Sequence, residues 1–374
     1  MGRYALPIAF LVVPFALLSG GIVHKGHYHA FLLSALFVLP FIEGTGKRVS
    51  PYLKGFYFHV MCLTTLAAVA YMVGFIHQRL FNMAFMGMFY FLGAGILFQA
   101  ALNSPLSRRS WSNVICVAAI LQICLAALQS LGLGPVQWFL SKFARVDPGS
   151  MVLVGTLGNK GFLVMYLALS MPFFFRRPWC WFILPMIALM ALSNTTTATI
   201  AAIVGAGIWG LPLVSKKFPK FNRKWAYTAV VMALVVLGGV YIAFFDNDLS
   251  KSLNRLPRGD FLVDGRALKW GIALEQVSSN WPSMIFGLGP GVGWGGKGTL
   301  HNEWLTAWHL FGLIGLGLIM GFALNISREN REAFAAFIIA CVCGVGSLPM
   351  HLAPSAFLII IVAGLCEREK FSHG

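Results

Sequence analysis

Two short stretches carry side chains suited to chemistry. In the first, Arg266, Lys269, Trp270 and Ala273 follow the i, i+3, i+4, i+7 spacing that gathers both cations on one side of a helix. In the second, His301-Asn302 stands at the head of a long apolar run. A planar guanidinium such as Arg266 binds anionic oxygens through a fixed fork of donors. An imidazole at the water end of a membrane helix is suited to act as a general base near neutral pH. Taken alone, His301 reads as an interfacial residue snorkelling its ring. Continued as a helix, the run puts His301 on one face with Leu305, Trp308, Gly312 and Gly315. His309, about two turns deeper on a flank, is explained by packing.

Between the two stretches lies Gly287-Leu-Gly289-Pro-Gly291-Val-Gly293-Trp-Gly295-Gly296. Gly291, Gly293 and Gly296 match G-x-G-x-x-G formally, but no βαβ unit surrounds them, so a dinucleotide site is excluded. A tight connector, whose missing side chains let backbone approach a bulky ligand or another loop, is the better reading. Asp246-Asn-Asp248 has the look of a Mg²⁺ carboxylate pair. No substrate-like pocket stands beside it, and helix-end polarity explains it. Cys341-x-Cys343 lacks zinc-ribbon spacing, and all seven cysteines fall in or beside apolar runs, which argues against disulfides and zinc alike.

The elements that position these residues are membrane helices. With 58% hydrophobic and 11% charged residues, the chain lies far from the roughly 25% charged composition of soluble domains. Apolar runs long enough to cross about 30 Å of hydrocarbon recur along its length. Although Arg3 before the apolar Tyr4 to Val23 has the look of a signal peptide, more membrane follows. The run is therefore kept as a first span. Spans are expected near 4–24, 28–44, 56–77, 83–102, 114–133, 152–175, 179–194, 197–214, 226–245, 303–324, 332–348 and 353–366. The expected fold is one all-α polytopic domain of about twelve transmembrane helices over residues 1–374.

A formal charge of +16 suggests nucleic acid in a soluble protein, but here the cations punctuate hydrophobic runs and mark sidedness. With the N-terminus inside, 17 of the 28 Lys and Arg residues fall on the cytoplasmic side. These include Arg108, Arg109, Arg176, Arg177, Arg328, Arg331, Arg368 and the Lys216 to Lys224 run, which reads as facing anionic lipid. Residues 246–302 form the one long polar excursion, expected outside. Asp264 or Gly265 caps a helix there, running to about Ser279. Phe261, Leu262, Trp270, Leu274, Trp281 and Phe286 are the anchors expected to bury against the outer membrane face. Asn194 to Thr199 reads as a tight outer turn.

Taken together, these stretches resemble a family. His301-Asn302, nine residues, then Gly312-Leu-Ile-Gly315 resembles the His-(Asn/Ser/Gln)-x9-Gly-x-x-Gly signature of the O-antigen ligase and O-antigen polymerase superfamily. Gly265-Arg266 with Trp270, and Gly287-Leu-Gly289, resemble its Arg-x3-Trp and Gly-x-Gly stretches. Gly155-Thr156-Leu157-Gly158-Asn159, followed by Phe162 and Tyr166-Leu167, is similar to its Gly-Thr-Phe-Gly-Asn stretch at the start of a span. The resemblance covers roughly residues 150–320. One departure is Thr195-Thr196-Thr197-Ala198, where the family carries a diphosphate-binding Ser-Arg-Gly. Lys160, Arg145 or Arg258 would have to compensate.

What the resemblance implies is a GT-C-like glycosyltransferase of the bacterial inner membrane with its site facing the periplasm. It would move a glycan from undecaprenyl diphosphate to an acceptor hydroxyl, such as a lipid A core sugar, with no cofactor, metal or nucleotide sugar. Arg266 would bind the leaving diphosphate and His301 would take the acceptor's proton. Asn302, Lys269, Arg258, Arg145, Asn159, Lys160 and Trp308 are the expected substrate-binding residues. Polysaccharide polymerase and protein O-oligosaccharyltransferase remain open within this class, since only the acceptor differs. From another class, a lipid-linked glycan flippase or other transporter competes. Transporters, however, place charges at mid-bilayer on broken helices and show inverted repeats. The sequence has no repeat, and most of its outer-side cations gather in one loop.

Overall fold

The computed structural model describes residues 2–12, 33–41, 50–76, 78–131, 157, 160–176, 178–192, 202–210, 265–289, 302–346 and 353–370. Among them there is no β-strand. The helices are α1 (Gly2–Val12), α2 (Pro51–Met72), α3 (Gln78–Leu102), α4 (Arg108–Ser130), α5 (Lys160–Ser170), α6 (Ile183–Leu192), α7 (Gly265–Ser278), α8 (Trp281–Phe286), α9 (Glu303–Asn325), α10 (Arg331–Gly346) and α11 (Ala353–Lys370). Short helical pieces also cover 33–38 and 202–210. Among the described residues three helices, α2, α4 and α9, are long and apolar enough to cross a membrane. The expected span 226–245 lies outside the described residues.

Helix ends differ from the hydropathy windows for local reasons. Where hydropathy starts a span at residue 56, α2 starts at Pro51, because proline is tolerated in a first turn whose N–H has no helical partner. Helix α4 takes in Arg108 and Arg109, because the Ser107 hydroxyl accepts the Ser110 N–H at 3.1 Å and caps the helix ahead of its apolar part. The α5 run continues as a 3₁₀ turn over Met171–Phe175, where Pro172 sits near the start.

The main core is built around α5 and α11. Residues 163–170 of α5 are almost wholly buried, and so are Ala356 to Ile361 of α11, which makes both apolar all round. Helix α11 packs along α3, α5 and α10. At one end of this bundle the short connections are tied together by charge. Buried Glu332, at the start of α10, accepts from Arg108 of α4 through both its Nε, at 3.0 Å, and its Nη2. Its other oxygen pairs with Arg176 at 2.6 Å. Arg368, near the end of α11, donates to the carbonyls of Ser104 and Leu106 at 3.2 and 2.7 Å. Residues assigned to one side by charge bias thus meet at one end of the bundle.

Candidate functional site

The site region is assembled at the other end, on the first half of α9. Asn302, in extended conformation, caps that helix: its Oδ1 accepts the Leu305 N–H at 2.9 Å, and its carbonyl accepts the Thr306 hydroxyl at 2.7 Å. Trp304 ties this end to the bundle by donating to the Cys341 carbonyl of α10 at 3.0 Å. Nine residues on, the helix breaks at Gly312, with φ 65° and ψ −171°. That backbone conformation is accessible in practice only to glycine.

Helices α7 and α8 lie against this half-helix. Of the stripe seen in the sequence, Trp270 and Ala273 lie on the packed face of α7: Ala273 is fully buried and clusters with Trp270, Leu305 and Trp308. A turn later, Gln276 Oε1 accepts from buried His309 Nε2 at 3.1 Å. Asn280 then caps α8 by accepting the Ser283 N–H at 2.9 Å, while the Ser283 hydroxyl donates back to the Val277 carbonyl at 3.0 Å, folding α8 against α7. Trp308 donates to the Met284 carbonyl at 3.2 Å.

Below α8 the backbone itself makes the contact. Gly287, at φ 83° and ψ 177°, sits directly against Gly312. A Cβ on Gly287 would run into the Leu310 carbonyl and the Gly312 nitrogen; one on Gly312 would run into the Ile285 carbonyl and the Gly287 nitrogen. Around this contact three consecutive carbonyls of α9 find donors outside the helix. His309 accepts from Leu288 N–H at 2.9 Å, Leu310 from Gly289 N–H at 3.0 Å, and Phe311 from His59 Nε2 of α2 at 2.8 Å. Such satisfaction is required, since an unpaired backbone group in hydrocarbon costs several kcal/mol.

The connector reading of the Gly-x-Gly stretch therefore resolves in favour of close approach to another element of the chain. The α7–α8 segment does not rest on top of α9. It descends along nine residues of it, roughly 14 Å at 1.5 Å per residue. The anchors divide accordingly: Trp270 packs on α9, whereas Leu274, Trp281 and Phe286 stay exposed on the outward side of α7 and α8.

Of the expected site residues, the structure brings Asn302 and Trp308 together with the helix that carries Arg266 and Lys269. Helix α7 starts at Gly265, so Arg266 occupies the register position one turn before Trp270 on the packed stripe. Asn302 spends Oδ1 on the cap, and Trp308 spends its N–H on α8. Lys160 is the first residue of α5. His301, Asn159, Arg145 and Arg258 lie outside the described residues, as do the side chains of Arg266, Lys269 and Lys160. Helix α9 itself begins at Glu303, after the non-helical cap Asn302. Sequence reasoning passed over His59 and Gln276. The signal for His59 was available, as an ionisable residue in the middle of an apolar span marks a special site.

Compared with known proteins, the chain matches no family model and no curated relative.

Proposed function

We propose that this protein is a membrane glycan transferase of the O-antigen ligase type. In this reading it has about twelve spans, and residues 246–302 face the periplasm. The observation that carries the reading is the packing of three separate motif stretches, all within residues 265–315, into one structural unit. The Arg-x3-Trp helix, the Gly-x-Gly turn and the Gly-x-x-Gly break all converge on the outer half of α9. A resemblance resting on separate stretches gains weight when those stretches form one structural unit.

The chemistry follows from the residue types. His301 takes the proton from an acceptor hydroxyl as its oxygen bonds to the anomeric carbon of the donor sugar. The bond from that carbon to the lipid diphosphate breaks, and the diphosphate leaves with the electron pair. Arg266 binds its oxygens as negative charge accumulates there. Asn302, Lys269 and Trp308 frame the same region, and undecaprenyl diphosphate is the donor carrier.

A transporter is the second reading, favoured by the break in α9, since discontinuous helices form substrate and ion sites in transporters. In such proteins the unwound carbonyls serve as ligands. Here those of His309, Leu310 and Phe311 are already occupied by protein donors, which favours the transferase.

The test is reconstitution in vesicles with an undecaprenyl diphosphate-linked glycan and a lipid A core acceptor. Joined product from the wild type, lost in Arg266→Ala, supports transfer. Movement of the intact lipid-linked glycan across the vesicle without product would favour the transporter.

A further inference from the structure

The outer half of α9, from Glu303 to Phe311, is joined to its surroundings by two kinds of contact. Leu288 and Gly289 donate to it from the segment that it carries, so those bonds move with the assembly. Bonds to the rest of the bundle are what fix its direction. Near the start of α9 that bond is Trp304 to Cys341. At the break it is His59, held on α2 and 8% exposed, whose Nε2–H donates to the Phe311 carbonyl at 2.8 Å.

The surroundings of His59 are shaped to hold this contact. Phe56, Phe91 and Phe311 pack edge to face, with centroids 5.1 to 5.6 Å apart. A Cβ on Gly315 would run into the Cβ of Phe311 and reach van der Waals contact with the His59 ring at 3.4 Å, so this glycine keeps room beside both partners of the bond. Apolar packing of this kind is non-directional and lets one half-helix swivel on the other. A hydrogen bond to a carbonyl beside the break has a direction and does not.

We propose that His59 is a positioning residue: its bond to the Phe311 carbonyl sets the angle of the outer half of α9. With that angle it sets the placement of the Gly287 to Gly289 backbone and of the cationic α7. The inference rests on the transferase reading for its kinetic readout alone.

The experiment compares His59→Gln, which keeps an N–H donor at similar reach, with His59→Leu and with His59→Asn, whose amide is one bond too short. Hydrogen exchange is followed on the purified full chain in nanodiscs. Amides of 285–289 and 303–311 are expected to exchange about tenfold faster in the Leu and Asn proteins, the scale of one lost hydrogen bond. Those of 108–130 should stay unchanged and His59→Gln should follow the wild type. If the leucine protein does not accumulate, the Gln and Asn pair carries the comparison. In the vesicle transfer assay, kcat should fall more than KM rises in the donor-less variants, with rescue by Gln. Wild-type exchange in both the Leu and Asn proteins, or a Gln protein as impaired as the Asn one, would overturn the role. Absence of transfer by the wild type would sink the transferase reading, while the exchange data would still decide on His59.

Discussion

Gly312→Ala tests the joint between α9 and the Gly287 turn most directly. Two routes are open to the substituted protein, and it takes the cheaper one. If the break persists, an alanine is forced into a glycine-only conformation, which costs about 1–3 kcal/mol. Its Cβ must also displace the backbone of Ile285 and Gly287. If α9 straightens instead, alanine returns about 1 kcal/mol over glycine. The Leu288 and Gly289 bonds are then lost, and each donor left buried costs about 1–3 kcal/mol. The straightened route therefore nets about 1–5 kcal/mol and the broken one at least about 1–3 kcal/mol, so a clear loss is expected whichever is taken. Gly317→Ala is the control in the same helix: a Cβ there meets nothing within 4 Å, so it should be neutral or slightly stabilising. Reversible SDS unfolding in mixed micelles, followed by tryptophan fluorescence, measures both. Because Gly287 and Gly312 share one space, Gly287→Ala should cost a similar amount, and the double variant less than the sum of the two. A Gly312→Ala protein as stable as Gly317→Ala, or strict additivity with Gly287→Ala, would refute the glycine joint.

Glu332→Leu should destabilise by about 1–3 kcal/mol in the same unfolding assay, because it removes the buried carboxylate that Arg108 and Arg176 share, while both arginines, 31% and 39% exposed, keep part of their solvation. Arg176→Leu, which leaves Arg108 in place on the carboxylate, should cost clearly less. On the transferase reading, Arg266→Ala should lower turnover roughly 10²–10³-fold by analogy with lost oxyanion donors, and Arg266→Lys should restore little for want of the planar fork. His301→Gln should depress transfer while leaving donor binding intact, and should remove the wild type's rise in rate with pH as neutral imidazole forms; an unchanged pH profile would make the ring an anchor. A cysteine at Ser252, in the expected outer loop, should react with impermeant reagent in intact cells, and reaction only after permeabilisation would reverse the proposed sidedness.

Composition and periodicity were enough to make the chain helical and membrane-embedded, because only a continuous apolar run hides its backbone in hydrocarbon. They also placed α7, α9, α10 and α11 within four residues at each end, whereas α2, α3 and α4 start five or six residues ahead of their hydropathy windows. The helix after Asp264 and its packed stripe through Trp270 and Ala273 were legible for the same reason: the pattern is local, and α7 runs from Gly265 to Ser278. Charge bias grouped Arg108, Arg176 and Arg368 on one side, and in the fold they meet around Glu332 and the turn before α4.

The break in α9 was not legible. Gly312 stands in an unbroken apolar run, and nothing local separates a glycine that packs from one that bends. What decides is a contact 25 residues away in sequence, where Gly287 fills the space a Cβ would take and Leu288 and Gly289 supply the donors the bent backbone needs. His59 is a mixed case: its place in an apolar span marks it in the sequence, but its partner does not show there. In sequence it is a lone histidine in an apolar span, and only the fold brings it, 252 residues away, to the Phe311 carbonyl. Sequence determines which segments are helical and buried, since that depends on each segment's own side chains. Which backbone groups are left open, and who satisfies them, depends on partners that only tertiary structure brings within 3 Å or so of one another.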